Sequence, residues 1–153
     1  MSQPVMCSST EGTDPMGRTV EHVRVQNFVD MVKVSDGILA PDQVRTIEFD
    51  ALVDTGAAYL CLPPDLIQQL GLTYSFSRSV TTANGLVIRR IFKGADITIR
   101  DRNEQMSVME NHEHTPPLIG YLVLEVLDFV VNPKSQQLMG NPEHDGKWVV
   151  DCY

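Results

Sequence analysis

The chain has 153 residues, of which 42% are hydrophobic and 21% are charged, and its formal net charge is −8. This length fits one domain with a sizeable core. The negative charge argues against binding to nucleic acid or to an anionic membrane surface, because both require clustered Lys and Arg, and no segment approaches the roughly 20 apolar residues of a membrane span.

The first sixteen residues differ in composition from the rest of the chain. Residues 1–16 are rich in Ser, Thr, Gly and Pro, so we interpret them as a flexible tail before a domain at 17–153. They lack the basic start and apolar run of a signal peptide. Cys7, Cys61 and Cys152 are too few and too widely spaced for a disulfide framework or a zinc site. These features favour a reducing, cytoplasmic compartment.

The first predicted elements are strands. Partial alternation over residues 19–34 predicts one or two strands of a first hairpin, which includes Met31 and Val32. A turn is expected at 35–37 and a loop at 38–43. Residues 45–53 predict the next strand, with one face formed by Ile47, Phe49, Ala51 and Val53.

A short strand at 59–62 is followed by a predicted helix that begins at residues 63–65, Pro-Pro-Asp. Proline suits a first helical turn because its missing N–H has no partner there. Leu66, Ile67 and Leu70 form an apolar stripe, and Gly71 suits a left-handed C-cap. In the strand, Cys61 is expected to be a small buried hydrophobe.

Two strand pairs are predicted in the second half of the chain. Residues 81–88 predict a hairpin with Asn84-Gly85 at its tip, because both residues tolerate the positive φ of a two-residue turn. Residues 95–100 and 105–109 predict a further pair around a charged turn at 101–104. Residues 122–127 are apolar and short, so periodicity alone leaves helix and strand open.

Two motifs connect these elements to a family. Residues 52–58, Leu-Val-Asp-Thr-Gly-Ala-Ala, place a carboxylate in a tight turn after a strand, and residues 117–120, Pro-Leu-Ile-Gly, precede an apolar segment. Asp-Thr-Gly alone is often an ordinary turn, but the order of these motifs resembles the retropepsin-like aspartic proteases. Residues 62–72 and 131–138 resemble the helix after the turn and the closing strand pair of bacterial members, so the resemblance covers roughly residues 17–145.

The resemblance implies a mostly β fold. The implied fold is a closed β-barrel that forms one half of the acid protease fold, with one or two short helices, one of them at 122–127. Two such subunits would assemble as a homodimer. Asp54 lies in the only Asp-Thr-Gly of the sequence. The pairs Asp36-Gly37 and Asp145-Gly146 follow Ser35 and His144, so neither is a second copy of the motif. The second carboxylate would therefore come from a second subunit through an isologous interface.

The implied activity is that of an aspartic endopeptidase. A pair of Asp54 carboxylates, one per subunit, would share a proton and activate a water that hydrolyses a peptide bond, without a cofactor or a metal. Thr55 would bond to the partner subunit's backbone, and Gly56 would allow the tight turn. Ala57 lacks the hydroxyl that pepsins place here, so we expect activity to persist toward mildly acidic or neutral pH.

Two further segments are assigned through the resemblance. Ile119 and Gly120 would lie behind the turn, where a small residue lets strands approach closely. The hairpin tip, Ala83, Asn84, Gly85 and Leu86, resembles the flap that closes over an extended peptide. Leu86 and Ile88 are expected to line the pocket. By itself, this motif is equally that of an ordinary surface hairpin.

Two signals remain outside this assignment. His112-Glu113-His114, with His144, has the residue types of a metal site, but the segment runs into two prolines and is expected to be an exposed loop without metal. The apolar C-terminal segment is expected either to pack on its own subunit or to add a strand to the dimer interface. Its apolar residues are Trp148, Val149, Val150 and Tyr153.

Two other functions are compatible with the same residues. The first is a non-catalytic dimeric module that binds an extended peptide or a partner protein. The second is a maturation factor that cuts one partner or its own residues 1–16. A dimer with the two Asp54 carboxylates in contact would distinguish the protease from the binding module, because a fold by itself does not establish a function.

Overall fold

The computed structural model describes residues 18–150 and 152, and it is mostly β. The predicted tail at 1–16 and Tyr153 lie outside the described residues. In chain order the elements are β1 (Val20–Asn27), α1 (Phe28–Ser35), β2 (Thr46–Val53), β3 (Leu60–Leu62), α2 (Pro64–Leu70), β4 (Thr73–Thr82), β5 (Gly85–Ile99), β6 (Arg102–Glu110), β7 (Leu118–Ile119), α3 (Tyr121–Leu127), β8 (Phe129–Asn132) and β9 (Gln137–Gly140), with 3₁₀ turns at Pro41–Gln43 and Pro142–His144.

Seven strands form one sheet in the order β1-β2-β7-β3-β6-β5-β4, and β8 pairs with β9 separately. Strand β1 also pairs with β5. Strands β1, β2, β7, β3, β6 and β5 are therefore paired in a closed ring. Strand β4 pairs with β5 alone and extends beyond this ring as one arm of a hairpin. None of the helices in the described part of the chain has the length and hydropathy needed to cross a bilayer.

The core lies inside the ring of strands. As predicted, Ile47, Phe49, Ala51 and Val53 of β2 all contact the same buried cluster, because alternate residues of a strand share a face. Helix α2 adds Ile67 and Leu70, and Leu66 packs against them. The predictions of α2, of α3 and of the β8–β9 pair are confirmed.

The prediction of a strand around Met31 and Val32 is wrong, because this segment is helix α1. Asn27 ends β1 and caps the helix, its side chain accepting a hydrogen bond from the Asp30 N–H at 3.0 Å. Strand β1 still pairs with β2 in an antiparallel ladder, and the helix lies in the connection between them. The alternating valines obscured a helix whose outer positions, Val29 and Val32, stay exposed.

The second half contains one long strand where the sequence predicted two short ones. Strand β5 runs from the hairpin tip to the turn before β6, and Ile99 pairs directly with Arg102. The turn is therefore shorter than the predicted 101–104. Arg100 has a φ of 57°, a left-handed conformation that makes so short a turn possible.

Buried polar residues tie the end of the chain to this framework. The Arg102 guanidinium lies 4.4 Å from the centre of the Phe129 ring and donates to the carbonyls of Leu127, Asp128 and Gly146. His144 Nδ1 is 2.6 Å from the Asp128 carboxylate, and these contacts hold the last 3₁₀ turn against the end of α3.

Candidate active site

The Asp-Thr-Gly turn is held in place by β7. Val53 at the end of β2 pairs in parallel with Ile119, and Leu60 of β3 pairs antiparallel with the same residue. The chain between β2 and β3 therefore passes around the end of β7. The Asp54 N–H donates to the Ile119 carbonyl at 2.9 Å, which anchors the start of the turn.

Gly120 leaves room for the turn to approach. A Cβ added at this position would lie 2.4 Å from the Ala58 carbonyl carbon and 2.5 Å from the Tyr59 oxygen. The next two N–H groups, of Tyr121 and Leu122, donate to the carbonyls of Ala57 and Ala58 at 2.9 and 3.0 Å. The first turn of α3 thus holds the far side of the loop, since the initial N–H groups of a helix have no partner inside it.

The Asp54 carboxylate is exposed on the monomer. Its Oδ1 accepts a hydrogen bond from the Gly56 N–H at 3.0 Å, and the Ala57 N–H closes the turn on the Asp54 carbonyl at 3.0 Å. Within the described residues the carboxylate has no second hydrogen-bond partner. One oxygen is therefore oriented by the turn while the other is available to a water, a substrate or a second carboxylate.

This carboxylate lies in a groove of about 640 Å³. One part of the lining comes from Asp54 and residues 56–59, and another comes from residues 78–82 and Arg89 of the β4–β5 hairpin. Leu118 and the start of α3 complete the groove beside the turn. A groove between a carboxylate and a projecting hairpin has the form needed for an extended chain.

The hairpin tip differs by one residue from the predicted one. Thr82 pairs with Gly85, so Ala83 and Asn84 form the two-residue loop, and Gly85 takes the positive φ, 102°, at the start of β5. The Thr82 hydroxyl stabilises this loop by accepting from the Asn84 N–H at 3.1 Å and donating to the Gly85 carbonyl at 2.8 Å.

Leu86 and Ile88 do not line the groove, which corrects the expectation that they face the pocket. Their side chains are 74% and 72% exposed. Arg89 lines the groove, and so do Thr81 and Ser79, the cross-strand partners of Leu86 and Ile88.

Several groove residues were missed by the sequence analysis. Tyr59, Arg78, Arg89 and Tyr121 all line it, and Arg78 donates a hydrogen bond to the Tyr59 hydroxyl at 2.9 Å. Arg78 and Arg89 are equally distant from the observed loop at 83–84, so the register makes them partners. Counting from the predicted tip at 84–85 would have paired Arg89 with Val80 instead.

Cys61 lies below the groove as the predicted buried hydrophobe. It packs with Ile91 and Met109. Burial raises the pKa of its thiol to about 12, and the nearby Asp54 charge contributes in the same direction. Because the thiolate is the reactive form of cysteine, Cys61 is not a nucleophile at neutral pH.

The histidines do not converge. His112 Nδ1 is 2.9 Å from the Glu113 carbonyl, and His114 is exposed, whereas His144 lies beside Asp128. In the part of the chain that the structure describes, no three His, Cys, Asp or Glu side chains are arranged to hold a metal ion.

The end of the chain contacts its own subunit. Trp148 Nε1 donates to the Val126 carbonyl at 3.4 Å, and the Val149 N–H donates to the Asp128 carboxylate at 3.3 Å. Residues 148–150 do not form a strand in this monomer.

A family model described as "Aspartyl protease" matches residues 32–140 of the chain, a span that contains the turn, the groove and the hairpin. The chain belongs to the aspartyl protease family. The predicted resemblance is thereby confirmed. No curated protein matches the sequence of this member of the aspartyl protease family.

A solved structure has the same fold as this aspartyl protease family member. It is the crystal structure of a retropepsin-like aspartic protease from Rickettsia conorii, which matches with a TM-score of 0.54 and 19% sequence identity. The match covers 79% of this chain and 81% of that chain. It establishes the retropepsin-like fold.

Proposed function

We propose that this protein is an aspartic endopeptidase that acts as a homodimer, with one Asp54 from each subunit in a shared site. The observation that carries the proposal is the Asp54 carboxylate, exposed in a peptide-sized groove and oriented through one oxygen by the Gly56 N–H. Membership of the aspartyl protease family supports the same activity. The circular strand pairing supports a closed barrel half for each subunit.

The requirement for two subunits follows from the chemistry. Among the described residues that line the groove, Asp54 is the only acidic one. Peptide hydrolysis by carboxylates needs an ionised group that takes a proton from water and a protonated group that polarises the carbonyl. Two carboxylates in contact supply both, because like charges so close cannot both ionise.

The steps then balance without a cofactor. Water oxygen attacks the carbonyl carbon while its proton passes to the ionised carboxylate, and the protonated carboxylate donates its proton to the carbonyl oxygen. Collapse of the tetrahedral intermediate breaks the C–N bond as the leaving nitrogen takes the proton of one carboxyl group, and a hydroxyl of the intermediate gives its proton to the other carboxylate, which restores the singly protonated dyad. The β4–β5 hairpin would close over the substrate and exclude bulk water.

The test is cleavage of a diverse peptide library by the wild type, Asp54→Asn and Asp42→Asn, from acidic to neutral pH. Asp42 is exposed in the 3₁₀ turn before β2 and serves as the matched control. We expect cuts from the wild type and Asp42→Asn and none from a correctly folded Asp54→Asn. Equal cleavage by all three, or by none, would reject the protease and favour the non-catalytic binding module.

A further inference from the structure

Two arginines face each other across the hairpin that borders the groove. Arg78 of β4 and Arg89 of β5 are direct partners in the antiparallel register, and both line the groove. Directly opposed residues of a strand pair place their side chains on the same face, with Cβ atoms about 5 Å apart. The register therefore places these two side chains on one face of the hairpin, beside the groove that Asp54 also lines.

This arrangement costs stability in the isolated subunit, since like charges directly opposite one another destabilise a strand pair. Arg78 has a neutral partner, the Tyr59 hydroxyl at 2.9 Å. In the described part of the chain, no carboxylate forms an ion pair with Arg78 or Arg89.

Several other arginines of the described residues form ion pairs with carboxylates. Arg90, next to Arg89 but outside the groove lining, binds both oxygens of Glu110 at 2.8 and 2.7 Å. Arg45 binds Asp30, and Arg100 binds Glu21. The chain has a net charge of −8, yet Asp54 is the only acidic residue among the described residues that line the groove with the two arginines.

We propose that Arg78 and Arg89 form a subsite for a carboxylate of the bound peptide, so that the groove selects acidic peptides. The inference rests on the proposed function, because it names the substrate class of the same groove. A guanidinium pair can hold a carboxylate through several charge-assisted hydrogen bonds. The carboxylate comes from an acidic side chain or from a free C-terminus, and in a homodimer each subunit contributes one such subsite.

The experiment measures peptide binding to Asp54→Asn by fluorescence polarisation, so that cleavage does not enter. The probes are labelled peptides in which a single Glu or its isostere Gln occupies each position in turn, with the C-terminus amidated or free. We expect Glu to bind about tenfold or more tightly than Gln at the position that meets the arginines, since hydrogen bonds to charged groups are stronger than neutral ones. The preference should weaken with added salt.

Variants identify the residues that cause the preference. Arg89→Met should remove most of it, Arg89→Lys should retain part, and Arg89→Glu should reverse it toward Lys-containing peptides. Lys93→Met is the matched control, because Lys93 is an exposed cation on the same strand outside the groove lining, and its loss should leave the preference unchanged.

The outcomes separate this inference from the proposed function. A preference for Glu in amidated peptides assigns the subsite to a side chain, and a preference limited to free C-termini assigns it to a terminal carboxylate. Equal binding of Glu and Gln peptides that is also unaffected by amidation of the C-terminus, no binding to any probe, or an equal loss of affinity for peptides with and without the carboxylate in Arg89→Met overturns the inference. Library cleavage that depends on Asp54 would leave the protease proposal intact even then.

Discussion

Two small residues, Gly120 and Ala57, affect the Asp54 turn in different ways. Gly120 has an ordinary φ of −87°, so its requirement for glycine is steric and comes from the Ala58 and Tyr59 backbone. Ala57 follows the turn, and its methyl packs toward the buried cluster around Cys61. One residue therefore fixes where the turn lies, and the other leaves the turn without a side-chain donor.

Gly120→Ala should displace the turn. The added Cβ meets backbone atoms that cannot move aside, so we expect a loss of about 3 kcal/mol in the free energy of unfolding, as for severe overpacking, together with loss of peptide cleavage. Urea denaturation measures the first effect. Gly37→Ala is the comparison, because its Cβ meets nothing within 4 Å and only its φ of 74° is unfavourable. It should cost about 1 kcal/mol, and an equal cost for both would contradict the steric argument.

Ala57→Ser tests the effect of a hydroxyl beside the carboxylate pair. A donor to the ionised form favours ionisation, so we expect the acid limb of the pH–rate profile to move to lower pH by about one unit. Ala57→Val, which adds volume without a donor, is the control. The two profiles should differ at acidic pH. A shift that is the same in both variants would assign the effect to packing.

At the scale of the elements, one polar cluster joins α1, the start of β2 and the end of α2. The buried Asp30 carboxylate accepts hydrogen bonds from the Arg45 backbone and guanidinium, and the Asn27 side chain donates to the Leu70 carbonyl at 2.8 Å. Gly71 lies against this cluster, since a Cβ there would overlap the Arg45 guanidinium. These long-range contacts hold residues 28–35 as a helix where the sequence analysis predicted a strand.

Asp30→Asn should destabilise this junction. The Arg45 guanidinium lowers the pKa of the Asp30 carboxyl through its side-chain hydrogen bonds. The pair therefore contributes stability above the unfolded-state pKa and loses it as the pH falls through the lower folded-state value. We expect the variant to lose about 2 kcal/mol at pH 7, less than for a fully buried pair because Arg45 is half exposed.

The measurement is urea denaturation of the wild type, Asp30→Asn and the exposed control Asp42→Asn at neutral pH and in acid below the folded-state pKa of Asp30. The difference between the wild type and Asp30→Asn should shrink in acid, while Asp42→Asn follows the wild type throughout. A difference that does not change with pH would show that the charge of Asp30 contributes nothing.

At the scale of the whole molecule, the monomer contains half of the chemistry that we propose. Its groove carries one acidic residue within the described lining, and its hairpin projects beyond the ring of strands. A two-fold partner would bring a second Asp54 by symmetry, because an isologous interface contacts itself. The net charge of −8 opposes that association, and added salt would screen the repulsion.

Mixing subunits tests whether both carboxylates are needed. If wild-type and Asp54→Asn subunits exchange freely, an equal mixture should retain about a quarter of the wild-type dimer's activity, because only dimers with two Asp54 residues are active. A site that needs one carboxylate would retain about half or more. Mixing with Asp42→Asn should leave the activity unchanged. Activity is measured as initial cleavage rate at constant total protein.

The strand before Asp54 and helix α2 were predictable because their signals are local, whereas helix α3 was predicted only through the family resemblance. Proline and glycine mark the ends of α2, and the alternation of β2 reports directly which residues enter the core. The order of the two motifs was enough to indicate the aspartyl protease family. In these segments local preference and tertiary packing favour the same structure.

Only the tertiary structure decided the helix at residues 28–35, the length of β5 and the faces of the hairpin. Helix α1 depends on Asp30 meeting Arg45, and β5 continues because it pairs with β1 as well as with β4 and β6. The hairpin register makes Arg78 and Arg89 direct partners, and both line the groove. Each outcome depends on contacts between segments far apart in the chain, which local periodicity does not encode.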